Sequence, residues 1–320
     1  MPNPTPQNLT PIVSRRKFLE AASVTAISAS LAPSLFAAPS RSSKAETAVQ
    51  EFYTSLTDQQ KSQICFPYNH QLRSKISANW HVTKPTIGLD FYTDKQRAMI
   101  NNAIKGMTSQ EGYARLQKQM DEDDGGVDFY SVAVFGDPSE KKFEFTLTGR
   151  HLTMRADGNS AEKAAFGGPI VYGHSEENPD QNLYHYQTKQ TNKVFEALDT
   201  DQRKKALIGK APRETAVHIQ QADGNFPGLI VGDMSDDQKK LVTESLDVLL
   251  APYREEDKAE VQEVLKSIGG TDKLRMAFYQ QGDLKSDKVW DIWRIEAPGF
   301  VWHFRGAPHV HAYINIAAIS

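Results

Sequence analysis

Phe300-Val301-Trp302-His303-Phe304-Arg305 and His309-Val310-His311-Ala312-Tyr313-Ile314-Asn315-Ile316 flank the short link Gly306-Ala307-Pro308 near the end of the chain. Side chains in a strand alternate between two faces, so Val310, Ala312, Ile314 and Ile316 make one apolar face. His309, His311, Tyr313 and Asn315 make the other. The link is short enough for an antiparallel hairpin, which brings His303 near His309 or His311. Just upstream, Lys273 to Gln280 and Val289 to Glu296 read as two more strands, and Ala297-Pro298-Gly299 joins the second to Phe300. The end of the chain is therefore expected to be an antiparallel meander.

A second strand group lies earlier. Asp128 to Phe135 and Phe143 to Met154 flank Gly136-Asp137-Pro138 and read as a hairpin. In that reading Phe143, Phe145, Leu147, Gly149 and His151 share one face.

Between the strand groups the sequence is helical. Thr57-Asp58-Gln59-Gln60, Thr93-Asp94-Lys95-Gln96, Asp199-Thr200-Asp201-Gln202 and Ser235-Asp236-Asp237-Gln238 share one pattern, and Thr108-Ser109-Gln110-Glu111 is a fifth case with Glu. A short polar residue followed three positions on by Gln or Glu is a capping box, so these strings mark helix starts rather than a repeated binding motif. Val242, Leu246, Leu249 and Leu250 then fall on one helix face, as do Val261, Val264, Leu265 and Ile268 before Gly269-Gly270. Helices are expected from Ala48 to about Met120, interrupted from Phe66 to Leu89, and from Tyr184 to Ile268. Separate helical and strand blocks give an α+β fold: antiparallel meander and hairpins packed with capped amphipathic helices, in a single globular domain over 48–320.

Residues 1–40 are set apart. Ser14-Arg15-Arg16-Lys17-Phe18-Leu19 precedes a weakly apolar stretch from Ala21 to Ala38, the pattern of a twin-arginine export signal. Pro33 and the Ser/Ala content argue against a stable membrane span. Cleavage after Ala37 or Ser40, followed by a polar linker over 41–47, would leave a periplasmic or secreted protein handled by the twin-arginine translocase during export. That route carries folded cargo, a reason to expect a cofactor loaded beforehand.

The net charge is −3, which excludes a strong electrostatic footprint for nucleic acid. The single cysteine, Cys65, rules out an internal disulfide and reads as a packing residue. Of nine histidines, His309 and His311 with nearby His303 offer convergent imidazoles for zinc or copper. His151, in Gly149-Arg150-His151, and His174, after Gly173, complete the candidate ligand set. Arg150, Trp302, Arg305 and Tyr313 are candidate pocket residues, although aromatics such as Trp290, Trp293, Trp302 and Tyr313 are more often core. Glu296, Asp291 and Asp157 are the acids available as bases, but no pattern selects one, and no catalytic residue is assigned. The acidic run Asp121 to Asp124 reads as a solvated helix exit.

The chain resembles a family of exported bacterial and fungal proteins, the domain of unknown function numbered 3500, from about Ala48 to Ile316. The likeness is carried by Tyr113, Val134-Phe135-Gly136-Asp137-Pro138, Phe143-Glu144-Phe145, Gly149-Arg150-His151-Leu152, Leu198-Asp199-Thr200-Asp201-Gln202-Arg203 and His309-Val310-His311. It implies a shared fold and a shared site at His151, His309 and His311, and it implies no reaction. Many relatives carry two adjacent histidines where this chain has Arg150-His151, and the closing Asp-Pro-x-Asn-Asp-Tyr-Gly of many relatives is absent here. The expectation is a metal-dependent oxidoreductase or hydrolase acting on a small molecule; the competing expectation is a metal-free small-ligand-binding or envelope interaction protein.

Overall fold

Helix-start chemistry sets the frame. In the computed structural model, which describes residues 37–140, 142–161, 163–283, 287 and 289–319, the four Gln strings are complete capping boxes. Each Thr, Asp or Ser side chain accepts from the amide three residues on, and each Gln reaches back. In the fifth string the cap is Ser109, which accepts from the Gly112 amide, while Glu111 pairs with Arg115 instead. The export-signal string lies outside the described residues.

Eight helices are described: α1 Lys44–Ser55, α2 Asp58–Ile64, α3 Asp94–Gly106, α4 Gln110–Asp124, α5 His185–Ala197, α6 Thr200–Ala206, α7 Asp236–Leu250 and α8 Glu255–Ser267. The strands are β1 Cys65–Phe66, β2 Ser131–Gly136, β3 Phe143–Gly149, β4 Leu152–Ala156, β5 Ile170–His174, β6 Leu207–Ile208, β7 Leu229–Ile230, β8 Arg275–Tyr279, β9 Ile292–Ala297, β10 Phe300–Arg305 and β11 Val310–Ile316. They form one mostly antiparallel sheet in the order β1-β2-β3-β4-β5-β11-β10-β9-β8-β6, with β7 pairing β8. This is the α+β architecture expected from the sequence.

Three local differences have physical causes. Helix α1 starts at Lys44, inside the stretch read as linker, because Ala45 and Glu46 are fully buried and Glu46 accepts two bonds from Arg254. Strands β3 and β4, read as one, are separated by a turn in which His151 takes φ 53°. The helical block read over 184–268 is broken between Ile208 and Leu229, where Gly209, Pro212, Gly224, Pro227 and Gly228 remove helix propensity.

The two halves of the chain repeat one design. Each runs helix, short capped helix, two-residue strand, irregular stretch, capped helix, helix, one 3₁₀ turn and a four-stranded antiparallel run. Gln60 and Gln96, 36 residues apart, exchange amide hydrogen bonds; Gln202 and Gln238, also 36 apart, do the same. Gln96 caps the Ser55 carbonyl as Gln238 caps that of Ala197. The short strands pair in parallel with β2 and β8 respectively. Gly125-Gly126 and Gly269-Gly270, all at positive φ, end the equivalent helices α4 and α8. The halves meet where β5 pairs with β11.

Alternation then divides the sheet faces. Helices α1, α3 and α4 cover the apolar face of the first half; α5, α7 and α8 cover that of the second. The opposite face carries the polar alternates and lies under the irregular stretches 66–93 and 208–230. Thr146, Thr148, Thr153 and Glu144 on that face are fully buried. Among the described residues no helix is long and apolar enough to cross a membrane.

Candidate metal centre

The polar face of β11 meets the first half at the β5 edge. His311 lies opposite Gly173 of β5 in the register. A Cβ on Gly173 would sit 2.2 Å from the Val310 carbonyl oxygen and 3.2 Å from the His151 Cβ. Glycine there lets His151 approach β11. His151 itself comes from the β3–β4 turn, in left-handed backbone that is uncommon for a non-glycine residue. Its N–H donates to the Ala78 carbonyl at 2.5 Å and its carbonyl accepts from Gln119, which hold the turn.

His151, His309 and His311 thus converge. One ring nitrogen of each lies within 4.8 Å of the other two. Ring centroids are 4.7–5.1 Å apart. The Nε2 atoms of His309 and His311 are 3.0 Å apart.

Carboxylates set the tautomers from outside. His151 Nδ1 donates to Asp123 Oδ2 at 2.9 Å, and His311 Nδ1 donates to Glu214 Oε2 at 2.9 Å. Protons on Nδ1 leave the Nε2 lone pairs directed inward, the arrangement that orients metal-bound histidines and raises their basicity. Asp123 also accepts from the Ser175 amide, and Glu214 pairs with Arg305 at 2.9 Å. Burial pushes both carboxyls up, but the hydrogen bonds from His151 and Ser175, and from His311 with the Arg305 charge, prevail and hold both below the usual range. Burial, then the neighbouring His311 and Arg305, lowers His309 to about 4, and burial lowers His311 against the pull of Glu214. These two imidazoles are neutral at pH 7, as metal ligands must be.

The remaining candidates fall in different places. His303 shares the polar face but accepts from Arg294 Nε at 3.4 Å, and burial with that charge lowers it to about 3. His174 points to the helix-covered face, where Glu122 meets its Nε2 at 2.9 Å. Neither joins the three-histidine group. Arg305 lies beside it, with Nη2 3.4 Å from His309 Nε2. Arg150 donates to Ser175 Oγ, and the Tyr313 ring is 6.3 Å from that of His311. Trp302 is on the other face, packed edge-on against Tyr172 and Tyr253. Glu296 pairs with Arg294. Asp157 accepts from the Asn159 and Ala161 amides. Burial pushes the Cys65 thiol up to about 12, so it is no nucleophile at neutral pH.

Asp123 and Glu214 escaped the sequence reading. Asp123 hides in the acidic run at the end of α4, and Glu214 in a stretch without periodicity.

The fold and site together define a two-half α+β protein with a candidate three-histidine centre between its halves. The chain belongs to the family described as protein of unknown function (DUF3500), whose model matches residues 39–314. No curated protein matches the chain, and no solved structure does.

Proposed function

We propose that this is an exported metalloprotein whose His151, His309 and His311 hold one transition-metal ion, zinc before copper, for hydrolysis of a small molecule. The observation that carries the reading is the pair of outer carboxylates, Asp123 and Glu214, each bound to the Nδ1 of a different histidine of the cluster. These carboxylates fix His151 and His311 as Nε2 lone-pair donors, and His309 Nε2 lies 3.0 Å from that of His311, so one ion can replace the hydrogen between those two rings. Three imidazoles without a thiolate suit zinc or copper, and a three-histidine zinc site keeps a position open for chemistry. Bound zinc would supply Lewis acidity there. Arg305, held by Glu214, is placed to receive an anionic group of the substrate.

Metal analysis of untagged protein tests this. About one zinc per chain is expected, removed by a chelator with a fall in melting temperature. A content far below one, with no response to chelator, defeats the metal reading. Copper at that stoichiometry would redirect the reaction to redox chemistry.

The export half of the proposal rests on Ser14-Arg15-Arg16-Lys17-Phe18-Leu19. Replacing Arg15 and Arg16 together by Lys is expected to hold the protein in the cytoplasm of its native host. Unchanged export of that variant would remove the twin-arginine route.

A further inference from the structure

The two halves carry the same crevice with different contents. In the first half, the face of the sheet away from the helices is closed where β1 meets β2. Phe66 and Phe135, register partners, pack there with Trp80 and Leu72. His70 stacks on Phe66. In the second half the corresponding register partners are Ile208 and Tyr279. The stretch that answers to Trp80, around Ala222-Asp223-Gly224, has no tryptophan, and the nearby Phe226 ring packs on Gly224 rather than lining the groove. A groove of about 660 Å³ takes the place of the aromatic filling.

The lining changes in step. Tyr279 stands where the first half has Phe135, and it is 1% exposed with no hydrogen-bond partner for its hydroxyl. Such a buried hydroxyl is uncommon without a partner. Arg294 and Glu296 stand where the first half has Thr146 and Thr148, judged by the pairing of β8 with β9 and of β2 with β3. Each Arg294 nitrogen already donates once, Nε to His303, Nη1 to Glu296 and Nη2 to the Ala216 carbonyl, which holds the guanidinium in place. Glu296 receives Arg294 and Gln220 on the same oxygen, Oε1, which leaves Oε2 available. Lys210 stands exposed at the rim, and Pro212 and Pro227 give an apolar wall.

We propose that this groove binds a small hydroxylated carboxylate: Lys210 meets the carboxylate, Tyr279 and Glu296 bond the hydroxyls, and the two prolines cover the carbon chain. An aliphatic acid without hydroxyls leaves Tyr279 unpaired, and a neutral sugar leaves Lys210 unpaired. The groove's lining includes none of the three histidines of the metal centre and neither of their outer carboxylates, and binding there does not require the metal.

Calorimetry on the full chain with gluconate, glucose and acetate as probes tests it. Gluconate is expected to bind saturably, and glucose and acetate at least about tenfold more weakly. Tyr279→Phe and Lys210→Ala should each weaken gluconate about tenfold with melting temperature unchanged. Phenylalanine is the residue the first half already uses, so that variant is compatible with the fold. His311→Ala should bind gluconate as the wild type does. No gluconate binding, equal binding by Tyr279→Phe, or equal binding of glucose or acetate overturns the proposal. Loss of gluconate binding in His311→Ala also overturns it, by assigning the ligand to the metal centre.

Discussion

Replacing His311 with alanine is expected to drop the metal content below about a tenth of the wild-type value, because two imidazoles and a void do not retain zinc in competition with buffer. His311 is the ligand to test because it sits at the hub: His309 Nε2 is 3.0 Å from its Nε2, and Glu214 holds its Nδ1. The companion substitution Glu214→Gln removes a charge and no ligand. It is expected to weaken metal affinity by roughly 10- to 100-fold while the metal still binds at high concentration, the usual effect of losing an outer carboxylate. Elemental analysis and a competition titration measure both. If His311→Ala retains a full complement of metal, the ion is held elsewhere and the assignment is lost.

Arg254→Ala is expected to destabilise the fold by about 3–5 kcal/mol, since it strips the partner from a buried ion pair. The guanidinium donates to both oxygens of Glu46 at 2.8 and 2.9 Å and pairs with Asp257 at 3.0 Å. Glu46 lies on α1 of the first half, and Arg254 and Asp257 lie at the start of α8 of the second. Asp157 and Glu260, both buried, stand close by.

Burial and the neighbouring carboxylates raise Glu260 to about 9, and burial raises Asp257 to about 7 in spite of Arg254. A carboxyl raised in the folded state costs stability as pH climbs from its unfolded value toward its folded one. The damage in Arg254→Ala is therefore expected to be smaller at pH 5, where both acids hold protons, than at pH 8. Urea denaturation of the wild type and the variant at those two pH values reads the difference. A loss under about 1 kcal/mol at pH 8 would make this an ordinary surface-type pair.

Much of the fold was legible because its signals are local. The capping boxes name four helix starts from the residues at each start. The period-two alternation of Phe300 to Arg305 and of His309 to Ile316 gives the closing hairpin, with β10 observed over the range expected. The same strings, read one at a time as helix starts, concealed the duplication. Gln60 with Gln96 and Gln202 with Gln238 become equivalent only when each pair is seen exchanging bonds in space.

The candidate site was legible only in part. Sequence by itself determined the residue types that hold the helices, the strand faces, and the pairing of His309 with His311 on one face. Tertiary structure decided what joins them. His151 and Asp123 from the first half, and Glu214 from the second, reach His309 and His311 only because β5 pairs with β11 and Gly173 leaves room at the seam. The same packing decided that the polar strand face is buried under irregular segments rather than left in water. Parity along a strand is a property of neighbours in the chain, whereas a ligand set assembled across two halves depends on loop closure and sheet register, which leave no period in the sequence.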